Sequence, residues 1–153
     1  MTTVTKEFSF DCAHLLSGYD GLCKNVHGHT YKLFVTVSAT EDLQESGSSE
    51  GMVVDFAILK KLVTEEITSK FDHALVLNVN AESELEQELL ALGDKYGLRL
   101  AKMERRSTCE HMAQDFFEVL TDRCLKYGLR VETVRLYETP TSYAEVQYGI
   151  SDR

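Results

Sequence analysis

The side chains best suited to chemistry in this chain are a few histidines, one cysteine and a small set of carboxylates. His27-Gly28-His29 sets two imidazoles two residues apart. On an extended strand such residues point to the same side, so both can reach one ion. Gly28 leaves room between them for a close backbone approach. His14 ends an earlier alternating segment and can add a third nitrogen from the adjoining strand. Three neutral imidazoles leave a cation its full charge and an open position. That is how a catalytic zinc is held, whereas a structural zinc is closed by four ligands.

Cys23 lies four residues before His27. It can be a fourth ligand, a buried thiol, or a nucleophile or base, because a thiolate near a divalent cation has a lowered pKa. Asp72-His73 sets a carboxylate beside an imidazole, either to tune and relay protons or as solvated charges at a helix end. Glu138 follows an apolar alternating run. It is either a solvated strand end or a buried acceptor, able to take two parallel hydrogen bonds from the adjacent N–H and NH₂ of a planar heterocycle. No H-E-x-x-H helix is present, which argues against a zinc hydrolase.

These residues need elements to position them. Val4 to Cys12 alternates with Phe8, Phe10 and Cys12 on one side, and His29 to Thr40 alternates with Tyr31, Leu33, Val35 and Val37 on one face. Both predict half-buried strands, paired antiparallel across a long polar loop. Glu41 to Gly51 predicts a solvated loop. Asp55 predicts the N-cap of a helix carrying Phe56, Leu59, Leu62, Val63 and Ile67. Residues 82–92 predict an acidic helix with Ser83 and Glu86 at capping-box spacing. A third helix is predicted from Ser107-Thr108-Cys109-Glu110, again at capping-box spacing, to Tyr127, with Gly128 as its stop. Cys109 and Cys124 fall on its apolar face as small buried hydrophobes. Leu129 to Glu138 and Tyr143 to Ile150 predict two closing strands around Thr139-Pro140-Thr141, where the single proline does least harm. Lys95-Tyr96-Gly97-Leu98-Arg99 recurs as Lys126-Tyr127-Gly128-Leu129-Arg130, which predicts two helix-stop-strand junctions. The order is that of an α+β domain, with helices on one face of an antiparallel sheet.

A length of 153 residues suits a single domain over 1–153. A net charge of −9 argues against a nucleic-acid backbone or an anionic membrane as partner, since both require clustered Lys and Arg. No apolar run is long enough to span a bilayer. The N-terminus lacks the apolar core of a secretory signal, and the four cysteines form no C-x-x-C pair. A cytoplasmic protein with reduced thiols is the expectation.

Taken together, Phe10-x-x-Ala13-His14, Cys23-x-x-x-His27-Gly28-His29-x-Tyr31, Phe71-Asp72-His73-x-x-x-Leu77-Asn78, Ser107-Thr108-x-Glu110 and Tyr137-Glu138-Thr139 resemble the 6-pyruvoyl-tetrahydropterin synthase family. The three-residue gap between Cys23 and His27 is similar to the bacterial 6-carboxytetrahydropterin synthase branch of queuosine synthesis. The resemblance implies zinc on His14, His27 and His29, Cys23 as catalytic thiol, and Asp72 with His73 as proton relay. It further implies that Glu138 anchors the pterin, with Thr108 and Glu110 lining the pocket. The implied substrate is 7,8-dihydroneopterin triphosphate. The implied fold is the tunnelling fold, four antiparallel strands with two long helices on one face, assembled into an oligomeric barrel as a trimer or hexamer with sites at subunit contacts. His111 stands where the family has Asn. Residues 80–106 read as an acidic insertion, a surface helix and not a second site. The alternatives are the pyruvoyl reaction, which stops at triphosphate elimination, and a non-catalytic pterin- or metal-binding module.

Overall fold

The computed structural model describes residues 1–150. Strands β1 (Thr3–His14) and β2 (His27–Ala39) form a long antiparallel ladder, from Thr3 opposite Ser38 to His14 opposite His27. The side-chain alternation dictates which way this ladder faces. Phe10, Cys12 and His14 of β1 are buried with Tyr31, Leu33, Val35 and Val37 of β2, while Ser9, Asp11, Thr30 and Lys32 between them are exposed. Strand β5 (Leu129–Thr139) pairs antiparallel with β2, and β6 (Ser142–Gln147) pairs antiparallel with β5. These four are the strands expected from the alternation.

The sheet is larger than that. It has six strands in the order β4-β3-β1-β2-β5-β6 and is mixed, because β3 (Ala74–Asn78) and β4 (Leu100–Met103) run parallel to β1. The expectation of a four-stranded, wholly antiparallel sheet is therefore corrected. Ala74-Leu75-Val76-Leu77 is a continuous apolar run without a period of two, and β4 spans only four residues, so neither gives a strand signal of its own.

Helix α1 (Phe56–Val63) continues through a π-helical turn, Thr64–Thr68, into the short α2 (Ser69–Phe71). Asp55 caps it, its carboxylate accepting from the Ala57 N–H. Helix α4 (Cys109–Leu125) packs on β5 and β6. A third helix, α3 (Glu84–Tyr96), packs on β3 and β4 where residues 82–92 predict an acidic helix, and it adds to the two long helices that the resemblance implies. Residues 80–106 supply that helix and, in β4, the outermost strand on that side of the sheet. Gly97, at φ +67, ends α3 as its left-handed cap.

The core lies between the inner sheet face and helices α1 and α4. Leu59, Leu62, Val63 and Ile67 meet Met112, Ala113, Phe116 and Leu120 there. Phe10 stacks on Tyr31 with centroids 5.3 Å apart and meets the edge of Phe116 at 6.1 Å. Cys109 and Cys124 are buried in this core, as their helical spacing predicts. Burial pushes both thiols up to about 11. Among the described residues no helix is long and apolar enough to cross a membrane.

Candidate metal centre and adjoining cavity

The β1–β2 ladder delivers the histidines. His14 pairs with His27 across the strands and Cys12 pairs with His29, so all three imidazoles leave the sheet on its inner face. Their ligand atoms all lie within 4.8 Å of one another. His14 is 1% exposed, and its Nδ1–H donates to the Ser107 carbonyl at 2.6 Å. The Nδ1–H of His27 donates to the Asn25 carbonyl at 2.7 Å. A carbonyl only accepts, so in the neutral ring each bond fixes the tautomer and puts the lone pair on Nε2.

Those two Nε2 atoms face each other at 3.1 Å. Burial lowers the pKa of His14 and of His29, which keeps both rings neutral near pH 7. The Nε2 of His29 is itself buried without a hydrogen-bond partner. Converging neutral acceptors repel unless a cation lies between them. Two nitrogens each bound to a tetrahedral zinc at its usual distance stand about 3.3 Å apart. The donor set, the fixed tautomers and the orphaned nitrogen therefore fit a divalent metal of zinc type.

Glu138 stands beside the cluster. The β5–β6 register shifts between Tyr137 and Thr139, leaving Glu138 as an extra residue on a bulge. A bulge re-aims a side chain out of the strand's alternation. Its Oε1 lies 3.6 Å from His14 Nε2 and 3.7 Å from His29 Nε2. The buried Tyr31 hydroxyl donates to the same oxygen at 3.5 Å. Burial raises the Tyr31 pKa far above its ordinary value, so this proton stays in place.

Glu138 also lines a cavity of about 390 Å³ with Thr108, Glu110, Arg106, Leu16 and Tyr19. The structure thus brings together all three side chains expected to bind substrate. The cap of α4 is Thr108 and not Ser107 as the spacing suggested: its Oγ1 accepts from the His111 N–H, and its own O–H remains free to donate. Ser107 is buried instead and donates to the Leu15 carbonyl. The His111 ring folds back, Nδ1–H donating to the Arg106 carbonyl at 2.8 Å.

The remaining expected residues are not in the cluster. Cys23 is half-buried on a single 3₁₀ turn, Leu22–Lys24, where its carbonyl accepts from the Leu16 N–H. Asp72 and His73 sit at the start of β3, with Nδ1 and Oδ2 3.0 Å apart. Ala74 and His29 flank Cys12 on its two sides, so the pair stands two strands, about 10 Å, from His29. His73 nevertheless shares with His29 and Gly28 an open cavity of about 420 Å³. His73 is the one non-glycine residue of the described chain at positive φ, +61. It is held there because its N–H donates to the Asp11 carbonyl while the Asp11 N–H donates to Asp72 Oδ1. That Asp11 N–H leads the influences that hold the Asp72 carboxyl below its ordinary range.

Site residues that no spacing indicated are Arg106, the carbonyls of Ser107 and Asn25, and the loop residues Leu16 and Tyr19. Backbone carbonyls carry no side-chain signal. The others become neighbours only when the loop after β1 folds against the start of α4.

Fold and site together define an α+β protein with a three-imidazole cluster next to a carboxylate-lined cavity. The chain belongs to the 6-pyruvoyl tetrahydropterin synthase family, whose pattern matches residues 3–148. It is 41% identical over 147 residues to a 6-carboxy-5,6,7,8-tetrahydropterin synthase of Haemophilus influenzae, covering 96% of this chain and 99% of that one. A protein of the same name from Rickettsia felis is 28% identical, covering 95% and 100%. Two solved structures share the fold. One is a protein of Wolinella succinogenes, with a TM-score of 0.76 at 22% identity over 96% of this chain and 98% of that one. The other is the 6-pyruvoyl tetrahydropterin synthase of Plasmodium falciparum, with a TM-score of 0.67 at 23% identity over 95% and 96%.

Proposed function

We propose that this protein converts 7,8-dihydroneopterin triphosphate and one water to 6-carboxy-5,6,7,8-tetrahydropterin, acetaldehyde and triphosphate, as a zinc-dependent lyase of queuosine synthesis in the cytoplasm. The observation that carries the reading is the convergence of three imidazoles, two of them held by Nδ1–H bonds to carbonyls, beside the cavity formed by Glu138, Thr108 and Glu110. The Haemophilus relative, similar over nearly the whole of both chains, supports this branch.

His14, His27 and His29 hold the metal. Zinc, when bound there, supplies Lewis acidity to the substrate's side-chain hydroxyls and acidifies the hydrogens on the carbons that bear them. Glu138 pairs with the ring N–H and NH₂ of the pterin, its carboxylate steadied by the Tyr31 hydroxyl. The Thr108 hydroxyl donates into the same cavity. Asp72 stays ionised, so it accepts the Nδ1–H of His73 and leaves Nε2 of that ring to take up or release a proton. Cys23 moves the second proton. Reducing equivalents pass from side chain to ring within the substrate, which requires no redox cofactor. We place the active sites at contacts in a trimer or hexamer. Two observations support this: Cys23 and the Asp72–His73 pair stand apart from the cluster, and β4 and β6 each have a partner on one side only.

Product identification by mass spectrometry, with acetaldehyde read through a nicotinamide-dependent reductase, tests the reading. Stoichiometric 6-pyruvoyl product without acetaldehyde would assign the protein to the pyruvoyl reaction. A second reading concerns Glu138 alone: its Oε1, under 4 Å from two imidazole nitrogens, suits a fourth metal ligand. The metal content of Glu138→Gln separates ligand from anchor.

A further inference from the structure

The acidic helix α3 contains a buried charge that its own capping does not require. Ser83 caps α3, its hydroxyl accepting from the Glu86 N–H. In a capping box the glutamate would reach back to the N–H of that serine. Glu86 turns away instead. It is 2% exposed, its Oε1 accepts from the Asn78 N–H at 2.7 Å, and its Oε2 accepts from the Ser17 hydroxyl at 2.7 Å. A buried carboxylate is costly unless its lone pairs are satisfied, so these bonds hold both partners in place.

Ser17 belongs to the loop between β1 and β2 that carries Cys23. It is gripped a second time by Arg106, whose Nη2 donates to its carbonyl at 3.0 Å. The residue before it, Leu16, donates its N–H to the Cys23 carbonyl at 2.8 Å. A chain of hydrogen bonds thus runs from α3 through Ser17 and Leu16 to Cys23, and a second contact joins the same loop to the segment that leads into α4.

We propose that Glu86 is a positioning residue that latches the Cys23 loop onto the β3–α3 side of the sheet. The helix spanning residues 84–96 thereby takes part in the site without touching substrate. The proposal rests on Cys23 being the catalytic thiol, but the latch has a readout of its own. Cys12, Cys109 and Cys124 are buried with thiols pushed up to about 12, 11 and 11, so Cys23 is the residue open to alkylation.

The experiment measures the rate of Cys23 alkylation by iodoacetamide, mapped by mass spectrometry, in the intact protein. Losing one hydrogen bond to a charged acceptor shifts an open–closed equilibrium about tenfold or more. Ser17→Ala is therefore expected to alkylate about tenfold faster and to lose kcat by a similar factor, with metal content unchanged and a melting temperature lower by only a few degrees. Glu86→Ala should do the same. Glu86→Gln should restore the wild-type rate, because its carbonyl still accepts from Asn78 and its NH₂ donates to the Ser17 oxygen. An unchanged alkylation rate in Ser17→Ala overturns the latch, as does a Glu86→Gln variant as impaired as Glu86→Ala. Faster alkylation in Ser17→Ala together with full activity in Cys23→Ala supports the latch and refutes the catalytic role of the thiol.

Discussion

Removing one imidazole separates what the metal contributes from what the fold contributes. His27 is the suitable one, because its ring is half-buried at a strand end and His27→Ala opens no cavity in the core. Its Nε2 stands 3.1 Å from that of His14, and both rings are held in place by Nδ1–H bonds to carbonyls. Deleting one of two opposed acceptors relieves repulsion, so the metal-free variant should melt no lower than the metal-free wild type. The metal-loaded comparison is different. At free zinc about one hundred times Kd, binding to the native state adds about 2.7 kcal/mol. For a chain of this size that is roughly 5–10 °C in Tm. His27→Ala leaves two ligands and should lose most of this rise. The assay is a thermal melt of chelator-treated protein with and without titrated zinc, and no substrate is involved. A variant that keeps the full zinc-dependent rise refutes the ligand assignment. A metal-free variant that melts several degrees lower refutes the lone-pair argument.

Cys23→Ala is expected to keep its zinc and lose turnover by about 10²–10⁴-fold, the usual contribution of a proton-transfer group; zinc loss measured by elemental analysis would place the thiol among the ligands. Glu138→Gln replaces an acceptor oxygen with a donor, so pterin affinity measured by calorimetry should weaken while metal content holds. Ser38→Ala tests the far end of the sheet, where Glu132 is the extra residue of the β2–β5 bulge and accepts from Ser38 and Arg130. Burial raises the Glu132 carboxyl, but those donors outweigh it and hold its pKa below the ordinary value. The stability it contributes is present above the unfolded pKa of about 4.5 and is lost as pH falls through the lower folded value. Ser38→Ala should cost about 1.5–3 kcal/mol at pH 7 by urea unfolding, shrinking below about pH 4; a deficit independent of pH would contradict this.

The histidine cluster was legible in the sequence because strand parity is rigid. Once Tyr31, Leu33, Val35 and Val37 are buried, His27 and His29 must share their face, and His14 follows from Phe10 and Cys12 in the same way. The apolar face of α4 and the glycine stops at 97 and 128 follow from equally local rules. What stayed hidden depends on partners distant in sequence. Strands β3 and β4 are defined by parallel pairing, which leaves no alternating pattern in so short an apolar run. The bulge that aims Glu138 comes from a mismatch between two strands, and neither strand shows it alone. Glu86 has the spacing of a cap, yet its oxygens serve a loop and a strand end instead.

The ladder that sets His14 opposite His27 also governs which length changes this chain can tolerate. A one-residue deletion between Phe10 and His14 would turn His14 to the outer face and dismantle the site, while leaving composition and hydrophobicity almost unchanged. Only a compensating bulge would restore it. Residues in the exposed Glu41–Gly51 loop can come and go without altering the facing of either ligand strand. An engineer grafting this imidazole cluster onto another sheet would therefore copy the pairing frame of β1 and β2 before copying any residue around it.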